Sequence, residues 1–205
     1  MMNVELEAMA LEMPAVDGHP NRLPFQGVLT LVAIPSRRSP GGAKGHRVML
    51  TRRATEAALP SLLGMAVDYA PALNAHDQQR KVGVITEAEI VPLKPGSADP
   101  AAQVTVGGFL YEHDFPDVVE KLRAGQGNLG MSYEIAVREI VSKQSPIWVV
   151  TEFAFTGAAV LRRENAAYPE TRFGVGQVVT GNWHSDFLRV ERDRGMVVRG
   201  SQFNG

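Results

Sequence analysis

Six stretches of this chain read as β-strands, and a sheet with that many strands must deal with its own edges. They are "FQGVLTLVAI" (25–34), "RVMLT" (47–51), "KVGVITEAEIV" (81–91), "VTVGGFLYE" (104–112), "GNLGMSYEIAV" (127–137) and "PIWVVTEFAFTGAAVL" (146–161). All are rich in β-branched and apolar residues. Unpaired strand edges recruit other chains, and closing the sheet removes them. The expected fold is therefore α+β, a closed or nearly closed β-barrel flanked by a few helices. "TEAALPSLLGMA" (55–66) reads as a helix interrupted at Pro60. "FPDVVEKLRAG" (115–125) places Val118, Val119 and Leu122 at helical spacing and ends on Gly125 as a C-terminal cap. "PSRRSPGGAKGHR" reads as the solvated tip of a hairpin joining the first two strands, and "DYAPALNAHDQQR" as a turn-rich approach to the third.

On this reading the chain divides into an arm (1–22), a barrel domain (23–168) and a C-terminal extension (169–205). A hydrophobic content of 44% is enough for a core, and a net charge of −1 argues against direct nucleic-acid binding. The acidic "MMNVELEAMALEMPAV" has none of the marks of a secretory signal, and no run reaches the ~18 apolar residues that cross a bilayer, so no membrane partner is expected. Cys 0 excludes disulfides, thiolate metal sites and cysteine nucleophiles.

A serine nucleophile needs a base within reach and a third group to orient that base. In "GNLGMSYEIAV" alternation puts Leu129, Met131, Tyr133, Ile135 and Val137 on one face. Ser132 lies on the other, with Gly130, Glu134 and Ala136. Five histidines are available as bases: His19, His46, His76, His113 and His184. His19 and His46 sit in Pro/Gly loops, His113 where a strand passes to a helix, and His184 after a tryptophan. His76 stands just ahead of a strong strand, where a sheet end can hold its ring. Glu152 interrupts the apolar run "WVVTEFAF", and a carboxylate there must reach solvent or be paired. No helical metal-ligand spacing is present, so no metal or other cofactor is expected.

Taken together and in order, "NAHDQQRKVGVIT", "FPDVVEKLRAGQGNLGMSYEI" and "VVTEFAFTGAAVLRRENAAYPET" resemble the prohead (capsid-maturation) proteases of tailed bacteriophages. The resemblance covers roughly residues 25–168. It implies a fold similar to the herpesvirus assemblins, a serine endopeptidase, Ser132 as nucleophile, His76 as general base and Glu152 as the acidic third member. His184 stands in reserve, since the assemblins use a second histidine. It also implies that the substrates are the phage major capsid protein and scaffold protein, cut inside the assembling procapsid in the host cytoplasm, and it is compatible with a homo-oligomer. The alternative is a catalytically inactive, protease-like structural or assembly protein of a phage capsid.

Overall fold

The computed structural model describes residues 9–10, 19–96 and 100–176. Among them the chain is mixed α+β, a single sheet of nine strands curled into a half-barrel with two α-helices. The strands are β1 (Met9–Ala10), β2 (Leu23–Val32), β3 (Arg47–Leu50), β4 (Ala66–Asp68), β5 (Lys81–Pro92), β6 (Ala102–Leu110), β7 (Leu129–Ile140), β8 (Ile147–Arg162) and β9 (Arg172–Val175). The helices are α1 (Arg52–Ala58), which runs on into a 3-10 turn (Leu59–Leu62) at Pro60, and α2 (Pro116–Ala124), capped at Gly125.

The long strand β8 organises one half of the sheet. Antiparallel β7 follows it along one side. Along the other side β3 and β4 lie in tandem and parallel to it, at Ile147–Val150 and at Ala158–Ala159. Between them α1 and its 3-10 turn fill the gap. Beyond β4 the order continues antiparallel through β5, β6, β2 and β9, and β1 adds to β5.

The core lies inside the curl. Leu29, Val32, Leu62, Val67, Val82, Ile85, Leu110 and Leu122 are fully buried there, and Phe25 stacks on Phe173 at 5.2 Å. Burying each such side chain stabilises the fold by roughly 1.5–3 kcal/mol. Among the described residues no helix is long and apolar enough to cross a membrane.

Two local expectations give way. The first two strands do not form a hairpin. Ala33 turns out of β2 with φ +58, only two backbone bonds tie the segment to β3, and β3 pairs in parallel with β8. The intervening loop is pinned at its start. Buried Ser36 donates to the Arg38 carbonyl and accepts from the Val48 N–H, while Arg37 pairs with Glu170. The approach to the third strand is turn-rich as expected over residues 69–80, and only Asp68 at its start belongs to a strand, β4. Finally, the sheet does not stop at residue 168, because β9 pairs with β2 from Phe25↔Val175 to Val28↔Arg172.

Candidate active site

On β7 the residues Leu129, Met131, Tyr133 and Ile135 pack into the core, which turns Ser132 and Glu134 to the opposite face. Residues directly opposite one another on paired strands share a face. Ser132 lies opposite Ala159, and Asp68 lies opposite Ala159 from the other side. Ser132, Ala159 and Asp68 therefore form one row across three strands. With neighbouring strands about 4.8 Å apart, the outer two are separated by roughly 10 Å, room for one imidazole over a small alanine.

The loop between β4 and β5 carries His76 to Asp68, at one end of this row. Its base is fixed by Tyr69 N–H donating to the Arg80 carbonyl, and its turn by Asp77, which accepts from the Gln79 N–H and from Arg80 Nε. Asp68 is fully buried. Its Oδ1 accepts the Asp77 N–H at 3.1 Å, and its Oδ2 faces Lys81 Nζ at 3.4 Å and His76 Nδ1 at 3.5 Å. Burial alone would raise the Asp68 pKa. The contact with His76, the Asp77 N–H, and the charges of His76 and Lys81 overcome that and hold the carboxyl below its ordinary 3.8. The His76 side chain is 17% exposed, so the ring is sheltered but reachable. Nδ1 looks toward carboxylates. Both ring nitrogens are buried, and neither makes a hydrogen bond with a described residue. An orphaned imidazole nitrogen beside a buried carboxylate is what a general base keeps for its substrate proton.

Glu134 is the second carboxylate on this face, its Oε1 3.8 Å from His76 Nδ1, and its Oε2 accepts from Gln78 Nε2 at 2.8 Å. Gly157, opposite Glu134 on β8, makes the room: a Cβ there would stand 2.7 Å from Glu134 Oε2. Gly130 does not leave Ser132's face open in the same way. The space above it is taken by Thr171 Oγ1 and the Arg163 side chain.

The structure thus places His76 against Asp68 and against Glu134, two residues along the strand from Ser132, and sets Glu152 apart from them. Glu152 lies seven residues along β8 from Ala159, roughly 20 Å away. There it is 56% exposed and pairs with Arg138 at 3.3 Å, so solvent and an arginine answer the question its sequence position raised. His184 lies outside the described residues. His46 stacks on Trp148 at 4.6 Å and donates to the Ser145 carbonyl, and His113 is 80% exposed. Among the described residues no group of three or more His, Asp or Glu side chains is placed to hold a metal ion. Sequence reasoning missed Asp68, although the signal was there: it interrupts the apolar run "GMAVDYA" as Glu152 interrupts its own.

Comparison with known proteins gives one match. Residues 64–173, more than half of the chain, match the family model described as the YonD N-terminal domain. That span runs from just before β4 into β9 and contains Asp68, His76, Ser132 and Glu134. No curated protein and no solved structure matches the chain.

Proposed function

The chain belongs to the YonD N-terminal domain family, and from the site just described we propose that it is a serine endopeptidase of phage capsid maturation. The observation that carries this reading is the placing of His76: its Nδ1 lies 3.5 Å from buried Asp68 and 3.8 Å from Glu134 on the Ser132 strand, and neither ring nitrogen is hydrogen-bonded to a described residue. In the proposed mechanism Nδ1–H donates to Asp68, which fixes the tautomer and leaves Nε2 to take the Ser132 proton. Ser132 Oγ attacks the peptide carbonyl, and His76 returns the proton to the leaving amine as the acyl-enzyme forms. Water then releases the acyl group by the same steps in reverse roles. Asp68 stabilises the imidazolium present in each transition state. The family is of phage type, which agrees with the resemblance to prohead proteases. On that resemblance the half-barrel is of the assemblin kind, and the substrates are the major capsid protein and scaffold protein.

The test is co-expression of the full chain with a phage major capsid protein and scaffold protein from the same source, with mass spectrometry of the products. Ser132→Ala and His76→Ala should each abolish truncation while leaving the thermal unfolding temperature unchanged. Unchanged processing in either folded variant refutes the assignment. Co-purification with capsid protein and no processing by the wild type would favour the inactive assembly protein instead.

A further inference from the structure

A cleft of about 620 Å³ opens beside this site, between the end of α2, the start of β7 and the turn that follows β8. Leu73 and Leu129 give it apolar walls, and Lys121, Arg162, Arg163 and Glu164 supply its charges, three cations against one carboxylate. The cations are weakly engaged. Lys121 Nζ donates to the neutral Pro71 carbonyl. Arg162 stands 3.9 Å from Glu164, with both side chains more than half exposed. The Arg163 guanidinium makes no ion pair or hydrogen bond with a described residue, although its stem is packed against Gly130. A half-buried arginine whose guanidinium has no partner among the described residues, in a cleft with excess positive charge, suits a carboxylate, which it can grip with two parallel N–H donors.

The cleft also opens about three residues from the candidate site along each of its elements. Leu129 is three residues before Ser132 on β7, and Arg162 is three beyond Ala159 on β8. Leu73 is three before His76, and its carbonyl accepts the Arg162 N–H at 2.7 Å. Three residues of extended chain span roughly 10 Å. We infer that this cleft is a specificity site that binds an acidic side chain of the substrate about three residues from the scissile bond. The inference rests on Ser132 being the nucleophile, which fixes where the scissile bond lies.

Two measurements separate this proposal from its premise. In the first, fluorescence anisotropy follows binding of two short labelled peptides, identical but for one glutamate or glutamine, to the full-length Ser132→Ala chain. The glutamate peptide should bind at least about tenfold more tightly, worth about 1.4 kcal/mol. The double variant Arg162→Gln/Arg163→Gln should lose that preference. Glu164→Gln, which leaves both arginines in place, should raise it a few-fold, so the proposal stays testable if the double variant fails to fold. Equal binding of the two peptides, or a preference that survives the double variant, overturns the cleft assignment. In the second, the active chain digests a peptide library, and the cleaved peptides should be enriched in Asp or Glu about three residues from the cut. Cleavage that depends on Ser132 but shows no such enrichment overturns the cleft and leaves the peptidase reading standing. A glutamate preference without any Ser132-dependent cleavage overturns the peptidase reading and leaves the acidic-peptide site.

Discussion

Two carboxylates compete for the same nitrogen of His76, and their surroundings decide which one orients it. Asp68 is fully buried, is fixed by the Asp77 N–H and faces Nδ1 at 3.5 Å. Glu134 is 31% exposed, stands at 3.8 Å and is drawn aside by Gln78. On the proposed peptidase reading, Asp68→Asn should therefore lower kcat by roughly 10³–10⁴-fold, because an amide does not hold the imidazole in the tautomer that leaves Nε2 free. Glu134→Gln should cost less than about tenfold, and Glu152→Gln should leave kcat within about twofold. Steady-state kinetics on a peptide cut by the wild type checks all three, and an Asp68→Asn enzyme of wild-type rate would remove Asp68 from the mechanism. The face of β7 that carries Ser132 was legible in the sequence, because alternation within that strand fixes it. The place of Asp68 was not. It lies near that strand through a parallel pairing of β4 with β8, some ninety residues apart in sequence, and alternation within one strand says nothing about which strand lies next to it.

The same limit holds for elements. Long strands with strong β composition were legible nearly to their ends, as was the break at Pro60, whereas three- and four-residue strands such as β4 and β9 carry too little pattern to separate from turns. Irregularities inside strands were hidden as well. Between Glu134↔Gly157 and Ile135↔Phe155 the β7–β8 register skips Thr156, a bulge that re-aims the strand beside the site. At this bulge the Phe155 N–H is met by a side chain: Ser61 Oγ, on the 3-10 turn after α1, accepts it at 2.9 Å and donates to the Ala58 carbonyl at 2.6 Å. Ser61→Ala should thus strand a backbone donor and destabilise the fold by about 1–3 kcal/mol. Ser142→Ala, in the turn between β7 and β8, loses only a bond to nearby Gln144 and should fall within about 0.5 kcal/mol of wild type. Urea unfolding of the two variants measures the difference. Equal midpoints would show that the bulge does not depend on its serine.

At the scale of the molecule, the expectation that the sheet must manage its edges is met partly by curling and partly by the segment after β8. Tyr168 lies fully inside, its hydroxyl within 2.9 Å of the Val48 carbonyl and 3.1 Å of the Ile34 carbonyl. Thr171 Oγ1 donates to the Tyr168 carbonyl and accepts the Met131 N–H, which ties the strap to β7. A boundary at residue 168 would cut through this strap, which composition alone could not distinguish from a tail. The strap buries phenols, and that makes the fold sensitive to alkali. Burial pushes the Tyr133 hydroxyl from 10.0 up to about 12, although the neighbouring hydroxyls of Thr30 and Tyr168 pull the other way. Burial raises Tyr168 too, reinforced by Tyr133. For a group whose folded pKa is raised, the unfolded chain ionises first. The contribution of Tyr133 is therefore complete below pH 10.0 and is lost as the pH climbs toward about 12, a fall of at most ~2–3 kcal/mol from this residue. Tyr133→Phe has no phenol to ionise and should show a shallower alkaline decline. Urea midpoints measured across that window for both proteins, with phenolate absorbance followed alongside, give the comparison. Parallel declines would mean that Tyr133 ionises as freely in the folded protein as in the unfolded chain.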